Sequence, residues 1–118
     1  MTAIRTVLFA AAAAMLASGG PAHAQSTPAE QTYFDLQSAI IAYERCNRMR
    51  FDQAQYLALD DQAVALAGEV LGAGTKLTLI ERAKAQTAQR VVTGGCGNAR
   101  VQAALNLFSE QLASSIGM

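Results

Sequence analysis

Two cysteines carry the most reactive side chains of this 118-residue chain. Cys46 lies in YERCNRMRF with Arg45, Arg48 and Arg50 around it, and Cys96 lies in GGCGN, shortly before Arg100. Guanidinium groups beside a thiol, or a helix N-terminus next to it, stabilise the thiolate and can make it a nucleophile or redox centre. The alternative chemistry is oxidation of the two thiols to a structural bridge. Thiol catalysis needs support that this chain lacks. There is no Cys-x-x-Cys, and the only histidine, His23, lies near the N-terminus in a segment of a different character.

That segment decides between the two. MTAIRT carries one positive charge at Arg5, VLFAAAAAMLA is an uncharged apolar run over 7–17, and SGGPAHA ends in the small-x-small tripeptide Ala22-His23-Ala24. Basic, apolar and small-residue regions in this order make a secretory signal peptide, and the run is shorter than the ~20 residues that span a bilayer. Cleavage is expected between Ala24 and Gln25, giving a signal peptide over 1–24 and a single domain over 25–118. No cysteine lies near the junction to take a lipid anchor, so no membrane insertion is expected after cleavage. The predicted location is periplasmic or secreted. In an oxidising compartment paired thiols are normally joined, so a Cys46–Cys96 disulfide is predicted.

Maturation also removes His23 and Arg5, leaving eight basic and nine acidic side chains and a net charge of about −1. Such a balanced chain has no excess positive field to draw nucleic acid. A domain of 94 residues rich in alanine builds a core barely large enough to fold alone, and a covalent bridge helps it.

Four helices must position these groups. Thr27 suits an N-cap, Pro28 the first helical position and Glu30 the third, and Tyr33, Leu36, Ile40 and Tyr43 follow at helical spacing. The three arginines after Tyr43 fall in the last turn and exit, where positive charge suits the helix dipole. A second helix starts at the cap Asp52, with Gln55 closing a capping box and Phe51 stapled to Tyr56. Its stripe runs through Leu59, Ala63, Leu66 and Val70 to a stop at Gly72 and Gly74. A third, capped by Thr75 or Thr78, carries a thinner face of Leu77, Ile80, Ala83, Thr87 and Val91. A fourth starts at the cap Asn98 and runs through Val101, Leu105, Phe108, Leu112 and Ile116. No window alternates like a strand. The expected fold is all-α, a small four-helix up-down bundle with one disulfide. In that topology the end of the first helix and the start of the fourth share a pole. Cys46 and Cys96 therefore meet, and Arg45, Arg48, Arg50 and Arg100 gather as a possible contact for an anion or an acidic partner.

Other chemistry is poorly supplied. Asp60-Asp61 is the one acidic pair, but adjacent helical positions diverge, so it reads as a solvated face and not as a metal site. Met49 and Met118 are too few for a methionine-rich copper site. Lys76 and Lys84 have no partner serine at a telling spacing. Glu30, Glu44, Glu69, Glu81 and Glu110 are accounted for by caps or exposed faces. GGCG lacks the Lys-Ser/Thr of a phosphate loop, and LGAGT follows a helix where a dinucleotide fingerprint needs a strand. The chain is therefore read as non-enzymatic, without a cofactor or metal.

The build, a small exported helical domain with one long-range disulfide, is similar to that of periplasmic acid-stress chaperones of the HdeA type; the likeness is one of architecture. Here the mature chain has no histidine to drive a pH switch, which leaves carboxylate protonation to loosen the bundle. The expected function is a protein-interaction module, such as an adaptor, inhibitor or stress chaperone, acting on an unidentified envelope protein. A small apolar ligand held between helices, where Ala83, Thr87 and Ala88 leave room, is the alternative. Intact-mass analysis of exported protein should give a chain that begins at Gln25; retention of residues 1–24 would refute the leader.

Overall fold

A computed structural model describes residues 26–118; the expected leader and the expected Ala24–Gln25 cleavage point lie outside them. Four helices make up the domain: α1 (Pro28–Asn47), α2 (Gln53–Ala67), α3 (Ala73–Gly94) and α4 (Ala99–Gln111). One-turn 3₁₀ segments over Gly95–Gly97 and Ala113–Ile116 precede and follow α4. Among the described residues there is no strand.

Three helix starts are set by the caps expected of them. Thr27 Oγ1 accepts from the Glu30 amide at 3.1 Å while Glu30 Oε1 accepts from the Thr27 amide at 3.1 Å. Asp52 and Gln55 form the same reciprocal pair at 2.8 and 3.0 Å. Asn98 Oδ1 accepts from the amides of Arg100 and Val101. Each arrangement satisfies backbone donors that a helix N-terminus leaves without partners.

The second loop is cut differently from the sequence expectation. α2 ends at Gly68, which takes φ +86, so Leu66 is partly exposed and Val70 lies outside the helix. The first glycine met is the first residue that enters the left-handed region without a Cβ penalty, and it ends the helix before the apolar stripe does. Gly72 then serves as the N-cap of α3, with Gly74 inside its first turn and no side-chain cap.

The organising element is α1. Tyr33, Phe34, Leu36, Ala39, Ile40, Ile41 and Ala42 are all buried, and they point around almost the whole helix circumference. A helix apolar on nearly every side has to be enclosed, and α2, α3 and α4 all pack directly against it. Glu44 meets Tyr56 and Tyr33 meets Asp60, so α2 runs antiparallel to α1. Lys76 in the first turn of α3 lies over the Tyr33 ring near the start of α1, and α3 leads directly into Cys96, which is joined to Cys46 at the end of α1, so α3 runs parallel to it. Tyr43 stacks on Phe108 and Cys46 joins Cys96, so α4 is antiparallel. The contacts among the three outer helices are far thinner than those with α1, although the 3₁₀ segment after α4 closes onto α2.

The buried face of α3 is Leu79, Ala83 and Thr87, while Leu77 is exposed. Ala83 and Thr87 are small and are both buried where α3 seats on the core.

The disulfide joins the C-terminal turn of α1 to the 3₁₀ turn ahead of α4, with Cα atoms 5.8 Å apart across a sequence separation of 50 residues. Next to it lies an aromatic cluster. Tyr43 stacks on Phe108 at 4.3 Å between centroids, and Phe51 stacks on both at 5.6 and 5.7 Å. Such pairs contribute roughly 0.5–1.5 kcal/mol each beyond burial. The bridge therefore closes a pole that is already packed. Replacing Cys46 and Cys96 together by serine should lower the unfolding free energy by about 2–4 kcal/mol. Urea denaturation at fixed pH measures this, and an unchanged midpoint would contradict it.

Candidate functional site

α2 and α3 both rest on α1 but splay from each other, and the strip of α1 between them is the floor of an open groove. Tyr33, Gln37, Ile41 and Glu44 line that strip at spacings of four, four and three, which keeps them on one helix face. The groove has two compartments that share Ile41, Tyr56 and Lys84. The lower, of about 420 Å³, is walled by Leu57 and Asp60 from α2 and by Lys76, Leu77 and Ile80 from α3. The upper, of about 630 Å³, opens toward Arg45, Arg48 and Arg50. Leu57 and Leu77, on opposite walls, are 59% and 61% exposed.

Two carboxylates fix the groove. Glu44, only 9% exposed, accepts from the Phe51 amide through Oε2 and from the Tyr56 hydroxyl through Oε1, both at 2.9 Å. It ties α1 to the entry and first turn of α2. Asp60 accepts from the Tyr33 hydroxyl and from Gln37 Nε2 at 3.3 Å, and its other oxygen pairs with Lys76 Nζ at 2.7 Å. One α2 side chain thus holds both α1 and α3. The sequence placed Glu44 on an exposed face and Asp60 with Asp61 on a solvated one. Instead Glu44 is buried and Asp60 is part-buried, while Asp61 stays exposed. The difference is tertiary: these positions face donors carried by other helices.

The carboxylates act in turn on the tyrosines. Burial, reinforced by the proton it donates to Glu44, pushes the Tyr56 hydroxyl up from 10.0 to about 12. Burial and the Asp60 carboxylate raise that of Tyr33 further still. Both phenols are held as neutral donors, and Lys76 is engaged by Asp60. The groups on the floor hold one another in place.

The arginines singled out in the sequence fall on two flanks. Arg45, Arg48 and Arg50 line the upper compartment with Lys84, whereas Arg100 lines a separate cavity between α3 and α4. Arg48 caps α1 in the left-handed region at φ +53, the one non-glycine residue with positive φ among those described. Cys46 and Cys96 are joined to each other. No group of three or more His, Cys, Asp or Glu side chains comes together as a metal site among the described residues, and no described helix is long and apolar enough to cross a membrane. Sequence reasoning missed Tyr56, Leu57, Asp60 and Lys76 as groove residues. The one available signal was Leu57, an apolar residue off the buried stripe of α2.

No protein-family model, curated protein or solved structure matches the chain.

A raised tyrosine pKa means that the folded protein holds its proton more tightly than the unfolded chain does. The associated stability is complete below pH ~10, where a free phenol is still protonated, and declines as the pH climbs toward 12. The urea midpoint should fall between pH 9 and 11.5. The Tyr33→Phe/Tyr56→Phe double variant should show a shallower fall, and an equal slope in both proteins would refute the coupling.

Proposed function

We propose that the mature domain is an exported, non-catalytic interaction module. Its groove between α2 and α3 receives an acidic amphipathic helix of a partner protein in the cell envelope. The leader over 1–24 supplies export, and the Cys46–Cys96 bridge suits the oxidising compartment it leads to. The observation that carries the reading is the splay of α2 from α3, which leaves Leu57 and Leu77 facing each other unburied across the α1 floor.

Charge and length select the occupant. Apolar walls give way at the disulfide pole to Arg45, Arg48, Arg50 and Lys84, so a partner helix with apolar anchors and a carboxylate-bearing end matches both halves. From Tyr33 to Arg48 the groove follows fifteen helical steps, or about 22 Å at 1.5 Å per residue, room for a helix of about four turns. Arg48 supports the assignment from another direction. A side chain in the left-handed region costs roughly 1–2 kcal/mol that glycine avoids, and strain of this kind collects at working sites. The small-ligand alternative draws less support, because Ala83 and Thr87 are buried in the core and only Ala88 of the three small residues is partly open.

Fluorescence anisotropy with two labelled fifteen-residue amphipathic helices, one acidic on its polar face and one basic, tests the reading. The acidic peptide should bind at least tenfold more tightly, with an affinity that falls as salt rises. Leu57→Glu/Leu77→Glu should abolish binding. Arg48→Gly should weaken binding while leaving stability unchanged or higher by up to about 1 kcal/mol. Equal binding of both peptides, or full binding by the Leu57→Glu/Leu77→Glu variant, would reject the proposal. Binding that needs the leucines but ignores the arginines would favour a small apolar ligand.

A further inference from the structure

On the other flank of α3 the fold leaves a second cavity, of about 690 Å³, between α3 and α4 above the α1 surface. Ser38 lines it. This residue is 5% exposed, and its hydroxyl has no hydrogen-bond partner within the protein. A serine inside a helix ordinarily turns its hydroxyl to solvent or bonds it to the carbonyl one turn back; Ser38 does neither. Buried polar side chains in folded proteins are nearly always satisfied; this oxygen has almost no accessible surface, so it is enclosed behind the cavity wall and is not offered to a ligand.

What the cavity offers a ligand is set by the charges around it. Arg82 and Arg90 from α3 and Arg100 from α4 line the same cavity. Arg82 is steadied over the Phe34 ring at 5.1 Å, and Arg90 Nη2 donates to Gln86 Oε1 at 3.1 Å. None of the three forms an ion pair among the described residues. Asp35 and Glu110 also border the cavity, and Asp35 accepts from Gln31 Nε2 at 3.0 Å. Three cations against two anions leave an excess of one positive charge. Phe34, Leu107 and the small Ala103 and Ala104 give the cavity an apolar part next to the guanidinium groups.

We infer that this cavity is a binding site for a small organic anion, its carboxylate or phosphate held by Arg82, Arg90 and Arg100, its carbon body lying on Phe34 and Leu107. Guanidinium groups pair with both oxyanions through parallel hydrogen bonds, and the volume is in the range of small-molecule sites. The site is on the opposite side of α3 from the peptide groove, so it stands or falls independently of that reading.

Amide NMR titrations of the oxidised mature domain with phenyl phosphate, benzoate, benzamide and inorganic phosphate test it. Phenyl phosphate and benzoate should both shift the resonances of Ser38, Arg82, Arg90 and Ala104. Benzamide, which lacks the charge, should not, and inorganic phosphate, which lacks the carbon body, should bind more weakly. Whichever of the first two binds tighter identifies the oxyanion. Arg90→Gln and Arg100→Gln should each weaken binding by about tenfold. Ser38→Ala should be at least as stable as the parent in the absence of ligand, since it removes a hydroxyl that has no partner. Four results would overturn the inference: no shifts at 10 mM probe (roughly the weakest affinity a site of this kind would have), equal response to benzamide, shifts confined to Arg45, Arg48 and Arg50, or unchanged affinity in both Arg90→Gln and Arg100→Gln.

Discussion

The structure depends on the enclosure of one helix. α1 is apolar around nearly its whole circumference, and a small alanine-rich domain has only three other helices with which to cover it. Each outer helix is therefore drawn onto α1 and only weakly onto its neighbours. In an evenly packed four-helix bundle the burial would be shared among all members; here a central helix takes most of it. Gaps between the outer helices follow directly.

The two larger gaps lie beside α3. Its buried face is a narrow stripe of Leu79, Ala83 and Thr87, enough to seat it on α1 and too little to reach sideways to α2 or α4. On the α2 side the gap is held at a fixed width by Asp60, which bonds α1 and α3 simultaneously. On the α4 side Arg82 lies over Phe34 and the remaining space is lined by arginines and small residues. The two cavities thus have a common origin and different chemistry, one leucine-walled with a basic end, the other cationic over a buried hydroxyl.

The pole that carries the disulfide is where covalent, aromatic and electrostatic constraints coincide. Tyr43, Phe51 and Phe108 stack there, Glu44 fixes the chain as it leaves α1, and Cys46 joins Cys96. A bridge that closes a long loop acts mainly by restricting the unfolded chain. The aromatic stack acts on the folded side. Together they make the α1 exit rigid enough to hold Arg48 in a backbone conformation that arginine seldom adopts.

Local physics made part of this legible in advance. Thr27, Asp52 and Asn98 could be assigned as caps because a cap is decided within four residues of chain. The pairing of Cys46 with Cys96 followed from there being two thiols and from where their helix ends fall. Other features were settled only when the helices met. Leu79 and not Leu77 faces the core, Asp60 and not Asp61 is drawn inward, and Arg100 parts from the arginines of the α1 exit, because each depends on how a helix is rotated against a neighbour distant in sequence. A stripe of hydrophobic residues fixes that rotation sharply when it is wide and bulky. In α3 it is thin and small, so the sequence by itself determined that the helix exists, and packing against α1 decided which way it faces and what lies open on either side.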